Sequence, residues 1–269
     1  MGSRERKLRT LLFGRSIVAA LVTLLASGLV PGTRGQDSSG LITDYTFRDS
    51  FSRHFQVEES PVIEIKEGIS GPVTVSSGRT GMVDIDVQRT AATQWELDCH
   101  QVKIDHRPGR ITITQVQFSD RRECRTIRAS QSLTLQVPSD AMLRVTAIAG
   151  ELKVTGPVQS VTAHSIAGHV DIAAVGIVEL RSLAKGVSLH LGGASSGSGT
   201  IESVIGPVEL EIHRRDVKIR VSSLNGEIRA LPPGFIRLRT DDGYLIKRGE
   251  GGPTLSISSV NGDVIVRGQ

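Results

Sequence analysis

The sequence predicts an all-β protein whose short strands stack as a β-solenoid, that is, as successive coils of one chain. Two nearly identical segments are the first sign: residues 222–230 read SSLNGEIRA and residues 258–266 read SSVNGDVIV. Similar segments recur through the second half of the chain. Apolar and polar residues alternate on both sides of each repeated glycine, as in strands with one buried face. One such unit cannot bury its apolar face alone, but stacked units can.

Seven units align on the pattern h-x-h-x-small-h-x-Gly-x-h-x-h, in which h is apolar. The small residue falls at positions 147, 165, 182, 203, 223, 240 and 259, so successive units lie 17 to 21 residues apart. We expect about seven coils, each near 19 residues long with two strands and two turns, over residues 139–269. The corner glycines of these coils are Gly150, Gly168, Gly206, Gly226, Gly243 and Gly262.

The glycine and the small residue of each unit have different expected roles. Glycine tolerates the positive φ that a tight corner requires. The small residue is expected to point inward beside the corner, where stacked side chains have least room, so that Ser223→Leu would overpack the core. The competing interpretation, a row of nucleophilic serines, lacks His or Asp partners at fixed offsets.

Residues 55–138 are expected to form an irregular β-strand region that leads into the repeat. Segments such as MVDIDVQRT and RITITQVQF alternate or are rich in β-branched residues. The preceding residues 36–54 are polar at first and then begin a series of phenylalanines, Phe47, Phe51 and Phe55, at i, i+4 spacing. We expect this lead to be flexible or a short amphipathic helix, with a turn that enters a strand at Phe55 as the alternative.

Residues 1–35 have the pattern of an export signal. Six basic residues against Glu5 give this segment a charge of +5, and residues 16–30 form an uncharged, mostly apolar run. The run is shorter than the about 20 residues of a membrane-spanning helix, so we expect cleavage before Gln36, with an uncleaved anchor as the alternative. The mature protein is therefore expected outside the cytoplasm, in the periplasm, on the cell surface or secreted.

The rest of the chain carries almost no net charge. The whole chain has a formal charge of +4, and subtracting the +5 of residues 1–35 leaves −1 for residues 36–269. Because no positive field remains to attract a phosphate backbone, we expect no nucleic-acid partner.

The two cysteines of the chain, Cys99 and Cys124, both lie in the exported part. An oxidising compartment predicts that they form a structural disulfide. The alternative is two unrelated buried thiols. A structural zinc site with four cysteine ligands is excluded, because there is no second pair.

Three segments carry a family resemblance: ISGPVTV, LTLQVPSDAMLRVTAIAGELKV and ISSVNGDVIVRG. Together with the export signal, they resemble the bacterial β-strand-repeat proteins called "putative adhesins", most of which have no known function. The resemblance covers roughly residues 55–269 and implies an exported β-solenoid, but no particular activity. The chain departs from the family pattern at Gly186, at the insert 192–199 and at Asp241-Asp242.

Few residues are arranged for chemistry. His164 and His169 flank one corner near Asp171, which would suit a metal ion, but exposed histidines beside a turn are usually surface residues. Asp84 and Asp86 share one face of a strand, as the paired acids of a glycosidase do, but a solvated face has the same pattern. We therefore predict no catalytic residue, no metal ligand and no cofactor.

One mildly basic patch is predicted on the outside of adjacent coils, formed by Lys218, Arg220, Arg237 and Arg239. It would suit an anionic polymer or an acidic protein. The alternative is a solvated face whose charge is balanced by Glu209, Glu211 and Glu227.

These observations predict a non-catalytic exported protein that acts as an adhesin-like binding module or a scaffold of the cell envelope. Its expected partner is an envelope protein or an anionic polymer, with membrane contact only through an uncleaved N-terminal anchor, and with self-association through stacked coil ends. The alternative is a polysaccharide-active β-helix enzyme. The nine aromatic residues of the chain disfavour it, because sugar-binding grooves stack sugars on exposed rings.

Overall fold

The computed structural model describes residues 47–117, 124, 129–173, 175–191, 198–222, 224–229, 231–250, 252–258 and 260–268. These residues form 21 strands and one helix, which confirms the all-β prediction. In chain order the elements are β1 (Phe47–Gln56), β2 (Val62–Ile65), β3 (Val73–Ser77), β4 (Met82–Ala91), α1 (Gln94–Cys99), β5 (His100–Arg107), β6 (Arg110–Gln117), β7 (Ser130–Val137), β8 (Met142–Thr146), β9 (Leu152–Thr155), β10 (Val158–His164), β11 (Val170–Ala173), β12 (Val175–Leu183), β13 (Val187–Leu191), β14 (Ser198–Val204), β15 (Val208–Ile212), β16 (Val217–Ser222), β17 (Ile228–Arg229), β18 (Ile236–Thr240), β19 (Gly243–Arg248), β20 (Thr254–Ser258) and β21 (Val264–Gly268). Across the described ranges, no helix has the length and apolar character needed to cross a membrane. The predicted export signal at residues 1–35 lies outside these ranges.

The strands form two large mixed sheets. The ten-stranded sheet has the order β1-β4-β7-β3-β9-β11-β13-β15-β21-β17, and the eleven-stranded sheet has the order β18-β19-β16-β20-β14-β12-β10-β8-β2-β6-β5. From β8 to β15, consecutive strands alternate between the sheets, and each pairs in parallel with the second strand before or after it. The alternation places equivalent residues of successive units side by side.

The inward side chains of both sheets form one continuous apolar core. In β13 and β15, for example, every second residue is buried. The same period-two pattern repeats in most strands, because successive side chains of a strand point to opposite faces. The outward residues that alternate with the core are polar for the most part and form ladders across neighbouring strands.

The order of strands within the sheets differs from their order in the chain at the C-terminal end. Strands β20 and β21 lie between β14–β15 and β16–β17, so the last two strands of the chain are internal to their sheets. Their inward residues are buried to the same degree as the centre of the core. The seven-coil solenoid, with its coils in chain order, stays a prediction, and this pairing departs from the predicted order.

Antiparallel strands lie at both ends of the eleven-stranded sheet and at one end of the ten-stranded sheet, whose other edge strand, β17, pairs in parallel with β21. β1 pairs with β4 and β5 pairs with β6 at one end, and β18 and β19 form a hairpin on β16 at the other. The prediction that Gly243 is a corner between parallel coils is wrong. Asp241 and Asp242 are the two-residue turn of the β18–β19 hairpin, and Gly243 pairs with Thr240 across it. An Asp-Gly dipeptide marks a turn, but the repeat alignment assigned this one to a coil corner.

The repeated glycines allow close approach of neighbouring backbones. A Cβ atom added to Gly168 would lie 2.3 Å from the carbonyl oxygen of Gly150, and one added to Gly150 would lie 2.0 Å from that of Gly71. Gly226 lies against Gly262 in the same way. The expectation that every corner glycine adopts positive φ is wrong for Gly150, Gly168 and Gly226. It holds for Gly206, Gly243 and Gly262, with φ of 114°, 146° and 152°.

In the first two units of the repeat, the small residue lies at a turn with left-handed backbone and is not buried in the core. Ala147 and Ser165 have φ of 54° and 55°, and the Ser165 side chain is exposed. At these two positions a short side chain therefore suits the left-handed backbone of the turn, rather than a crowded core. Ser223, the position chosen for overpacking, lies outside the described residues.

The lead at residues 47–54 is a strand and not a helix or a flexible segment. Ten residue pairs join β1 to β4, and Phe51 and Phe55 pack against the core. A spacing of four residues repeats on one face of a strand as well as of a helix, so the phenylalanine spacing did not decide between them.

The helix α1 begins after a capping box formed by Thr93 and Glu96 and ends at Cys99. Cys99 forms a disulfide with Cys124, and their Cα atoms are 5.4 Å apart. Closing a loop of 25 residues stabilises the fold by about 3 kcal/mol in the chain-entropy model.

The glycine stacking predicts a large penalty for Gly168→Ala. The added Cβ would overlap the Gly150 carbonyl, so the backbones must separate, and we expect the free energy of unfolding to fall by about 3 kcal/mol. Gly109→Ala is the control, because no atom lies within 4 Å of its Cβ position. Its φ of 68° alone should cost about 1 kcal/mol. Equal effects in urea unfolding would contradict the close approach.

The internal position of β20 and β21 predicts that deleting residues 254–269 also unfolds neighbouring strands that the deletion leaves in the chain. The deletion removes the strand between β14 and β16, so β16 and β19 should lose their protection from amide hydrogen exchange. Strands β8 to β11 should stay protected and serve as the internal control. Full protection of β16 after the deletion would show that β20 is not an internal strand.

Candidate anion-binding surface

The basic patch predicted from the sequence is divided between the two faces of the eleven-stranded sheet. Arg237 pairs with Ile246, which is buried, so the Arg237 side chain lies on the inward face of the sheet beyond the end of the core. Arg239 pairs with Tyr244 on the same face. Lys218 alternates with buried residues of β16 and lies on the outward face. The predicted patch of four is therefore wrong.

The outward face of the eleven-stranded sheet carries a cation, Lys247, that the sequence analysis missed. Lys247 of β19 pairs directly with Lys218, while Arg220 pairs with Leu245. We call Lys218, Arg220 and Lys247 the basic face. Asp241-Asp242 was the signal that could have identified Lys247, because a hairpin at these residues places Lys247 beside Lys218. The parallel coil that the repeat predicts places Arg237 and Arg239 beside Lys218 instead.

The charges of the basic face are not neutralised by carboxylates. In the described part of the chain, none of its three cations lies within 4.0 Å of an acidic side chain. The adjacent strand β20 presents Thr254 and Ser256 to Lys218 and Arg220. Repulsion between three uncompensated cations is unfavourable for the fold, and an anionic partner would relieve it.

Several other outward cations of the sheets have acidic partners. Arg181 contacts Glu179 at 2.7 Å and Glu202 at 3.3 Å in the middle of the same sheet. Arg267 contacts Glu209 at 3.5 Å on the ten-stranded sheet. The charge along these parts of the two sheets is thus mixed in sign, whereas the basic face carries positive charge alone.

Aliphatic side chains border the basic face on the edge strand β18. Ile236 pairs with Lys247 and Leu238 pairs with Leu245, so all four side chains lie on the outward face. The side chains of Ile236 and Leu238 are 51% and 43% exposed. Exposed aliphatics beside uncompensated cations make this end of the sheet amphipathic.

A second cluster of ionisable groups lies on the outward face of the ten-stranded sheet. His190 Nδ1 lies 2.5 Å from a Glu211 oxygen, and its Nε2 lies 3.2 Å from Asp171. His213 Nε2 contacts the other Glu211 oxygen at 3.0 Å. Hydrogen bonds from His190 and then from His213 hold the pKa of Glu211 below its ordinary value. The cluster ties β11, β13 and β15 together.

The structure separates the residues considered for a metal site. His164 lies on the eleven-stranded sheet, whereas His169 contacts the Ser188 hydroxyl at 3.0 Å over the other sheet. Within the described ranges, no set of three or more His, Cys, Asp or Glu side chains is placed to hold a metal ion.

The paired acids Asp84 and Asp86 are engaged by the neighbouring strand β1. His54 Nδ1 lies 2.6 Å from Asp84, and the Ser52 hydroxyl donates a hydrogen bond to Asp86. Both carboxylates therefore belong to a ladder between β1 and β4, with partners already in place.

Comparison with known proteins finds distant structural similarity. No protein-family model matches the chain, and no curated protein gives a significant sequence match. A "putative cell adhesion protein" of Clostridium sporogenes is similar in structure, with a TM-score of 0.44 and 13% identity over 82% of this chain and 100% of that chain. "Putative adhesins" of Parabacteroides merdae and Bacteroides fragilis have TM-scores of 0.32 and 0.26, identities of 8% and 14%, and cover 82% of this chain. The similarity spans 94% and 97% of those two chains, respectively.

The lowered pKa of Glu211 predicts a pH-dependent contribution to stability. A carboxylate whose pKa is lower in the folded than in the unfolded state stabilises the fold above its unfolded pKa, and this contribution is lost as the pH falls through the lowered value. Glu211→Gln should therefore destabilise the protein at neutral pH and have a smaller effect in acid. Carbon-detected NMR titration should show the Glu211 pKa rising in the His190→Gln/His213→Gln variant. An unchanged pKa in that variant would contradict the assignment.

Proposed function

We propose that this chain is a non-catalytic β-solenoid that acts as an adhesin-like binding module outside the cytoplasm and engages an anionic partner through the basic face. The observation that carries the proposal is the basic face itself. Three cations from β16 and β19 lie side by side on a flat outward surface without a carboxylate partner among the described residues. Such a surface attracts anions over a distance of about one Debye length.

The parallel pairing supports the solenoid part of the proposal. A chain that alternates between two sheets and pairs each strand in parallel with the second strand along follows a coiled path. Antiparallel strands at both ends of the eleven-stranded sheet, and at the β1 end of the ten-stranded sheet, limit the addition of further coils. Strands β20 and β21 then form a late coil that enters between two earlier ones.

The position of Arg237 and Arg239 supports a binding module over an end-stacked scaffold. Both arginines occupy the inward face of the edge strand β18, where a further coil would have to place apolar residues. The Arg237 guanidinium lies over the Tyr244 ring at 5.5 Å and covers the end of the core. Inward-pointing charge on an edge strand opposes edge-to-edge association.

The engagement of Asp84 and Asp86 supports the same proposal over a polysaccharide-active enzyme. General acid and base catalysis at a glycosidic bond requires two carboxyl groups that are free to exchange protons with the substrate and water. Here His54 and Ser52 occupy the two carboxylates from the adjoining strand.

Binding of the full chain to dextran sulfate tests the proposed function. The variant Lys218→Gln/Arg220→Gln/Lys247→Gln should bind this polyanion about tenfold more weakly than the unmodified chain, because its basic face is neutral. The matched control is Lys66→Gln/Lys103→Gln/Lys153→Gln, which removes the same charge from lysines that have acidic partners. It should bind nearly as well as the unmodified chain.

Raising the ionic strength should weaken the binding of the unmodified chain and of the control alike, because the attraction is screened. Equal loss of affinity in the two triple variants would overturn the proposal, and so would failure of the unmodified chain to bind. Melting temperatures of both variants establish that each is folded.

A further inference from the structure

We infer that the anionic partner of the basic face is a membrane surface that contains acidic phospholipid. The inference rests on the proposed function and names the partner of the same surface. Its starting point is that cations and exposed aliphatic side chains share one outward plane at the end of the eleven-stranded sheet.

The register of the last three strands builds two parallel rows across this plane. Ile236, Lys247 and Lys218 form one row, from the edge strand inward. Leu238, Leu245 and Arg220 form the second row, two residues further along each strand. Neighbouring strands are about 4.8 Å apart, so each row places an aliphatic and a cationic group within a width of about 10 Å.

The aliphatic groups lie at the rim and the cations lie further in. Ile236 and Leu238 belong to β18, which is the edge strand of its sheet, and about half of each side chain is exposed. A rim of this kind can enter the boundary between the headgroups and the acyl chains, while Lys218 and Arg220 stay level with the phosphates. Surface-binding segments use the same combination of buried apolar area and attraction to acidic lipid.

A soluble polyanion or an acidic protein fits only part of this plane. Its charges would satisfy Lys218, Arg220 and Lys247, but Ile236 and Leu238 would stay in water. The inward face of β18 also favours docking by the outward face alone, because Arg237 and Arg239 lie on the reverse side, where Arg237 covers the Tyr244 ring.

A second surface of the protein lacks this combination and provides a control. Along the outward face of the ten-stranded sheet, Lys153 contacts Asp171 at 3.9 Å and Arg267 contacts Glu209 at 3.5 Å. Thr74 lies on this face in β3, beside Lys153. Its surroundings should not touch a membrane.

The test places an environment-sensitive fluorophore on the full chain at Ser256→Cys. Ser256 pairs with Arg220 on the outward face, and the native cysteines are both in the disulfide, so the added thiol is the one that reacts. Vesicles of phosphatidylcholine with about 30% phosphatidylglycerol should shift its emission to the blue, and pure phosphatidylcholine vesicles should not. The same fluorophore at Thr74→Cys should show no shift. Because the fluorophore reports on its own surroundings, this readout does not depend on whether another segment also binds the vesicle.

Two variants of the labelled chain separate the contributions. Lys218→Gln/Arg220→Gln/Lys247→Gln should weaken the vesicle response by about fivefold for each cation, or about 100-fold in all. Ile236→Ser/Leu238→Ser should weaken it by about tenfold and leave dextran sulfate binding unchanged, because only the lipid takes up the aliphatic groups.

The inference would be overturned if the fluorophore at Thr74→Cys showed the same emission shift as the one at Ser256→Cys, or if pure phosphatidylcholine vesicles gave the same shift as acidic ones. It would also be overturned if Ile236→Ser/Leu238→Ser left the vesicle response unchanged. A silent fluorophore on acidic vesicles, with dextran sulfate binding intact, would reject the membrane and leave the proposed function standing. Loss of both kinds of binding would reject the two together.

Discussion

The backbone of each corner lies so close to the backbone of the next that no Cβ atom fits between them, and the rest of the structure depends on this contact. The Gly168 amide donates to the Gly150 carbonyl at 3.1 Å, and the strands that follow continue the same ladder. Close corners keep the strands of neighbouring units in register. Register in turn aligns the buried side chains into one core and the outward side chains into straight rows. The basic face and the Asp171–His190–Glu211 cluster are both products of that alignment.

Local patterns in the sequence predicted the class of fold and the repeated corners, because alternation and glycine spacing reflect contacts between adjacent units. They could not predict the order of the last strands. β14, β16 and β20 have the same alternation of buried and outward residues, so nothing local distinguishes which of them lies in the middle. The phenylalanines of β1 were ambiguous for a different reason, since a four-residue spacing suits a helix face and a strand face. Pairing with β4 decided between them.

Two of the three cations of the basic face could be predicted from the sequence. Lys218 and Arg220 alternate with buried valines and isoleucines, which places them outward in any register. Arg237 and Arg239 depend on the direction of the strand that carries them. A parallel coil turns them outward, and the hairpin at Asp241-Asp242 turns them inward. Because the turn is a hairpin, the outward face presents Lys247, Ile236 and Leu238 in place of the two predicted arginines.

The internal position of β20 and β21 sets a limit on the order of folding. β16 precedes its inner neighbour β20 in the chain, and β19 pairs with the outer side of β16, so neither strand can take its place in the sheet in the order of the sequence. The C-terminal part of the fold closes only after residue 268 has joined it. A chain of this design stays partly open at its C-terminal end until β20 and β21 are in place.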